Sequence, residues 1–137
     1  MTRSGYTDDW DSESIGRLNL YRGAVERAVK GKRGQELLRD LVEALDSLPE
    51  KRLITSELED GLGSYCALGA VAHHRGVDVS DLDPYDDIDV LAKRLDVAES
   101  MVREVVHLND EVVWDIGAEA QSKRWHYMRR WAEREVL

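Results

Sequence analysis

The sequence predicts a mainly α fold, a compact bundle of about five to six helices with one small β-hairpin near residues 53–66. Three observations carry that reading. Apolar residues recur at the i, i+3, i+4 spacing of a helix face through most of the chain. Glycine, proline and Asp-rich breaks separate those stretches. Extended-structure signals are confined to residues 53–66. A length of 137 residues implies one domain over 1–137, with residues 1–11 as a flexible polar lead. Tyr6 and Trp10 are placed to tack that lead onto the body.

The first helix carries Ile15, Leu18, Val25 and Val29, with Asp11 or Ser12 as its cap. Gly31-Lys32-Arg33-Gly34 stops it. A second helix over about 35–48 has a wide stripe of Leu37, Leu38, Leu41, Val42, Leu45 and Leu48, and Pro49 follows its end. The short glycine-bounded turn predicts an antiparallel helical hairpin. Leu53, Ile54 and Thr55 then favour extended backbone, and Asp60-Gly61 suits a hairpin turn.

A short third helix over about 66–74 is rich in small residues. Ala67, Gly69, Ala70 and Ala72 let neighbouring backbones approach, which predicts a central position, and Gly76 ends it. Asp86 or Asp87 caps a fourth helix bearing Ile88, Leu91, Ala92 and Leu95. After Asp96-Val97 a fifth carries Val102, Val105 and Val106. The pattern blurs around Trp114 and Gly117. A last helix, about 118–136, presents Trp125, Met128, Trp131 and Ala132 on one face.

Formal net charge is −9, and it is uneven. Residues 51–118 hold 15 acidic and 6 basic residues, whereas residues 119–137 hold 3 acidic and 5 basic. An acidic body repels phosphate backbones, so direct nucleic-acid binding is not expected. A protein with a basic surface is the natural partner. The acidic candidates for that contact are Glu57, Glu59, Asp60, Asp81, Asp83, Asp86, Asp87 and Asp89. Lys123, Tyr127, Arg130 and Arg134 step by four, three and four along the last helix. They form a basic strip for an acidic partner or for the acidic middle of a second copy, so a homodimer is one expectation.

Chemistry-bearing patterns are missing at short range. The Asp-rich loop has Asp86 and Ala92 where a calcium loop starting at Asp81 needs Gly and Glu. Neighbouring His73 and His74 point about 100° apart on a helix, and Cys66 lies two turns from His73, too far to share a zinc ion. His107 and His126 have no helical His partner. No metal site is expected. No phosphate loop, nucleophile elbow or dinucleotide fingerprint occurs, so no catalytic residue and no cofactor is nominated and a non-enzymatic role is expected. One cysteine excludes an internal disulfide. Neither a signal peptide nor an apolar run of about 20 residues is seen, so the expected location is a cytoplasm, bacterial or host, with no membrane contact.

Residues 88–107 follow a helix-turn-helix pattern. Ala92 is the small residue of the first helix, Leu95 and Val97 flank the turn, and Val102 and Val105 point inward. Asp96 stands where a glycine is usual. The second helix offers Glu99, Ser100, Arg103 and Glu104, an acidic set for a DNA reader. A transcriptional regulator is the alternative reading.

Three motifs, Tyr65-Cys-Ala-Leu-Gly-Ala-Val-Ala, His107-Leu-Asn-Asp-Glu and Arg124-Trp-His-Tyr-Met-Arg-Arg-Trp, occur in this order and spacing. Together they resemble a scattered group of small proteins encoded by bacteriophages and prophages, over roughly Glu50 onward. The resemblance implies a phage accessory protein acting in a bacterial cytoplasm and carries over no site residues. Small acidic accessory proteins of this sort include anti-CRISPR and anti-restriction inhibitors, some of which imitate the charge of DNA. The expectation is therefore a non-enzymatic inhibitor that binds a host defence protein, its acidic surface meeting a basic nucleic-acid-binding face.

Overall fold

The computed structural model describes residues 8–113 and 117–137, and side chains from Gly16 onward. Six α-helices follow one another: α1 Asp8–Lys30, α2 Lys32–Ser47, α3 Ala67–Arg75, α4 Ile88–Leu95, α5 Glu99–His107 and α6 Ala118–Glu135. A π-helical turn, Leu108–Val112, extends α5. The chain is an all-α compact bundle, with no strand among the described residues. None of the described helices is long and apolar enough to cross a membrane.

α2, α3, α5 and α6 surround the core. The stripe read from the sequence supplies it: Leu37, Leu38, Leu41 and Leu45 are wholly buried, and Val42 is half-buried beside them. α3 occupies the centre because its side chains are small. Ala67 to Ala72 are all buried, and the backbone of Gly69 lies against Leu58 so closely that an added Cβ would sit 1.8 Å from that carbonyl oxygen. Gly76 then ends the helix in the left-handed conformation, φ 72°. From α6, Met128 and Ala132 are fully buried and Trp125 and Trp131 nearly so. The Trp125 indole N–H donates at 3.0 Å to the Leu45 carbonyl near the end of α2, which also accepts the Leu48 amide at 3.3 Å.

Several expectations need correction. Helix α1 begins at Asp8, ahead of the Asp11/Ser12 cap; residues 1–7 and Trp114 lie outside the described residues. The break between α1 and α2 is Gly31 alone; Gly34 already lies inside α2, packed against the Ala28 carbonyl of α1. A one-residue break makes a corner, not a hairpin turn. α1 lies along α5 instead: Tyr21 Oη donates to Glu104 at 3.5 Å and Ser100 Oγ to the Ala24 carbonyl at 3.4 Å.

The expected hairpin over 53–66 reduces to one antiparallel bridge, Glu59 with Tyr65. The Ile54 and Cys66 amides still donate across the segment, to the Tyr65 and Leu58 carbonyls, but other backbone groups are claimed elsewhere. The Leu53 N–H donates to the Gln121 carbonyl, the Leu53 carbonyl accepts from Arg124, and the Ile54 carbonyl accepts from Asn109. At the tip, Asp60 Oδ1 takes the amides of Leu62 and Ser64, replacing ladder bonds with an Asx turn. Asp87 does occupy the N-cap position of α4, but its carboxylate accepts from the Asp83 amide in the preceding loop and makes no capping bond.

Candidate functional site

The acidic candidates divide into two groups. Glu57 and Glu59 on one segment face Asp81, Asp83 and Asp87 on another across an open depression of about 310 Å³. Leu58, Val79 and Pro84, all buried, hold the two segments to the core beneath it. Asp60, Asp86 and Asp89 lie outside the depression. Sequence positions 57–59 and 81–87 are distant, and the fold brings their five carboxylates together.

These carboxylates are not equally available. Arg94 donates from both terminal nitrogens to Asp81, at 2.7 and 3.1 Å, and also to the Asp78 carbonyl at 3.0 Å. That bidentate pair holds the Asp81 carboxyl below the usual aspartate range. Hydrogen bonds from Ser80 do the same to Asp78, and the Leu62 and Ser64 amides to Asp60. Asp83 Oδ1 accepts from the Tyr85 and Asp86 amides and so shapes its own loop. Of the eight nominated acidic residues, Glu57, Glu59, Asp86 and Asp89 are those whose side chains make no hydrogen bond or ion pair among the described residues. Their charge is free to meet a partner.

On α6, Lys123 is paired with Glu119 at 3.3 Å and Arg134 lies 3.8 Å from Glu135. Arg130 is exposed, and Tyr127 is half-buried against the core. Arg129, which was not nominated, makes the strongest ion pairs of this helix, to both oxygens of Asp46 at 2.7 and 3.0 Å and to Glu133 at 2.8 Å.

A polar knot joins the three motifs behind the phage resemblance. Asn109, in the π-helical turn, is 1% exposed. Its Oδ1 accepts from the Ala67 amide at the start of α3, and its Nδ2 donates to the Ile54 carbonyl and to Asp110. Arg124, also 1% exposed, donates to the carbonyls of Asn109, Leu53 and Val113. Asp110 accepts from the Ser56 amide and the Tyr85 hydroxyl. Asn109 therefore ties the first turn of α3 to the end of α5. Arg124 was missed, although it stands on the apolar stripe of α6 between Ala120 and Met128, where a charged residue is a legible sign of a buried hydrogen-bonding role.

Cys66, His73, His74 and His107 do not converge. Cys66 is buried at the α3 N-cap, its sulfur accepting from the Gly69 amide. Burial pushes its thiol up to about 12, which keeps it protonated and a poor nucleophile. His73 stacks on Tyr65 with ring centres 4.9 Å apart. His107 lines a separate groove beside α1. No cluster of three His, Cys, Asp or Glu with metal-binding geometry occurs among the described residues.

The two helices of the helix-turn-helix pattern are formed, with Leu91, Ala92, Leu95, Val97, Val102 and Val105 all buried. Asp96 adopts the left-handed conformation, φ 54°, that a turn glycine would take.

No protein-family model, no curated protein and no solved structure matches this chain. The phage resemblance accordingly rests on the three sequence motifs.

Proposed function

We propose that the chain is a phage-encoded, non-enzymatic inhibitor that binds a host defence protein of CRISPR or restriction type in the bacterial cytoplasm. Its acidic surface meets the basic face with which that protein holds nucleic acid. The observation that carries the reading is the convergence of Glu57, Glu59, Asp81, Asp83 and Asp87 on one exposed depression. Of these, Glu57 and Glu59 have no internal partner, so their desolvation costs little beyond what a Lys/Arg-rich face returns, and like-signed clusters steer association. The α6 strip of Lys123, Tyr127, Arg130 and Arg134 is a second contact surface, for the same partner or for another copy.

The test is competition. Purified nucleic-acid-binding defence complexes are offered duplex DNA with and without this protein. Displacement of DNA that weakens steeply with salt is expected. Charge reversal at Glu57, Glu59, Asp86 and Asp89 spares every side-chain bond described above and should abolish displacement. Displacement that survives the reversal, or no binding to any such complex, overturns the reading.

A second reading, a helix-turn-helix regulator using residues 88–107, is favoured by the left-handed Asp96 at the turn. Against it, α1 lies along α5 and Arg94 is held by Asp81. A gel shift at low salt decides: retention that depends on Lys93, Arg94 and Arg103 supports it, and no retention removes it.

A further inference from the structure

We propose that Asp110 is a positioning residue for the acidic depression: one oxygen of its carboxylate clasps both walls and holds their carboxylates at a fixed spacing against their own repulsion. The clasp stands independently of the inhibitor reading; what it does for a partner rests on that reading.

Asp110 Oδ2 accepts from the Ser56 amide at 3.2 Å and from the Tyr85 hydroxyl. Ser56 lines the depression and immediately precedes Glu57 on one wall. Tyr85 stands in the chain between Asp83 and Asp87 of the other wall. It follows Pro84, which lines both the depression and a small void beside Asp110. The clasp is itself firmly seated. Asn109 Nδ2 donates to the other oxygen of Asp110 at 2.7 Å, and buried Asn109 is fixed in turn by the Ala67 amide and the Ile54 carbonyl. Both residues lie in the π-helical turn Leu108–Val112, a backbone form that is rare and collects at functional sites.

The clasp works against a load from two sources. Ser56 has φ 68°, a left-handed backbone that a residue with a Cβ keeps only when its surroundings hold it there, and its amide is the group Asp110 holds. Among the described residues only Asp96 shares that conformation without being a glycine. Glu57 and Glu59 also face Asp83 and Asp87 across the gap, while Arg94 is bonded to Asp81 alone of the five carboxylates. Hydrogen bonds to an ionised acceptor are roughly twice as strong as neutral ones, which suits a single carboxylate to carry both strains. Burial and the neighbouring carboxylate hold the ionisation of Tyr85 well above the ordinary tyrosine range, so its hydroxyl stays a donor. Carboxylates fixed in advance need little ordering when a basic face arrives, and the clasp thereby turns a self-repelling cluster into a preformed acidic surface.

Double electron–electron resonance between two nitroxides on the full chain is the test. One label goes on Leu62→Cys, 88% exposed just beyond Glu59, and the other on Asp86→Cys, exposed beside Asp87. Cys66→Ser removes the native thiol and keeps an acceptor for the Gly69 amide. With Asp110 and Tyr85 intact, a narrow distance distribution that ignores salt is expected. Tyr85→Phe and Asp110→Ala should each lengthen and broaden it at low salt. At about 1 M salt, where the screening length is about 3 Å, it should draw back. Tyr85→Phe removes one oxygen from an exposed side chain, so it carries the test if Asp110→Ala does not fold. A wild-type distribution in Tyr85→Phe overturns the clasp, and a widened spacing that ignores salt overturns the repulsion said to load it. In the DNA-displacement assay Tyr85→Phe, with every wall carboxylate in place, should act several-fold more weakly. Equal displacement by a variant whose depression has opened removes the consequence for a partner and leaves the clasp. No displacement by the wild type removes the inhibitor reading, and the distance measurement still decides the clasp.

Discussion

Replacing Gly69 by alanine sets two effects against each other at one atom. Alanine is the better helix former, and within a helix the exchange favours folding by about 1 kcal/mol. The Cβ, however, would sit 1.8 Å from the Leu58 carbonyl oxygen and 2.7 Å from its carbon, whereas ordinary contact begins near 3.4 Å. Both are backbone atoms, so no side chain can swing aside. The loop carrying Leu58 must retreat by roughly 1.5 Å, and overpacking of that kind costs about 1–3 kcal/mol. The retreat also strains the bond from the Cys66 amide to that same carbonyl, worth about 1 kcal/mol, and loosens Leu58, which is 2% exposed. The steric side wins by about 2 kcal/mol, which lowers the melting temperature by about 8 °C for a chain of this size. Gly16→Ala is the internal control. Nothing lies within 4 Å of its Cβ, and it should stabilise by about 0.5–1 kcal/mol. Thermal and urea denaturation followed by circular dichroism measure both. A Gly69→Ala protein as stable as the wild type, or a Gly16→Ala protein that loses as much, would refute the close approach of α3 to the 58–66 loop.

Further outcomes follow from the same contacts. Arg124→Met should destabilise by about 3–5 kcal/mol, because it strands the carbonyls of Leu53, Asn109 and Val113; Arg124→Lys should recover only part, lacking the guanidinium fork. Gly34→Ala should loosen the α1–α2 corner, since its Cβ would lie 1.8 Å from the Ala28 carbonyl oxygen, and a fall in urea midpoint reads this out. Cys66 should resist a water-soluble thiol reagent at pH 8 in the folded protein and react promptly in urea; fast labelling of the native state would contradict its burial. The Arg129 hydrogen bonds hold the Asp46 carboxyl below its ordinary value of 3.8. A lowered folded value gives stability that is present above about pH 4 and lost as pH falls through it. The stability difference between wild type and Asp46→Asn should accordingly shrink on acidification.

Helices were legible wherever an apolar stripe and its punctuation both stood in one stretch of chain. The α2 leucines, the small residues of α3 and the Trp/Met face of α6 each needed only local spacing. The 53–66 segment misled because its residues favour extended backbone, and nothing local reveals that Arg124 and Asn109, far along the chain, take its hydrogen bonds. Gln35 belongs with them. It is buried, donates to the Val29 and Glu135 carbonyls and accepts from the Leu137 amide, so it clamps the ends of α1 and α6. As a polar residue near the start of a helix it looks like surface. On the acidic face, the sequence supplied the residues but not their division into Glu57, Glu59, Asp86 and Asp89, which are free, and Asp60, Asp81, Asp83 and Asp87, which serve their own loops.

What the sequence by itself determined is the helical class, the position of the strongest core stripe, and the concentration of negative charge over residues 51–118. Each is a property of nearest neighbours along the chain or of a sum. What only the tertiary structure decided is which carboxylates face one another, that Arg124 is a buried brace, and that α1 folds along α5 instead of back on α2. Those outcomes depend on where distant backbone groups find partners. A buried carbonyl must be satisfied by whatever donor the fold brings to it, and sequence spacing does not encode which donor arrives.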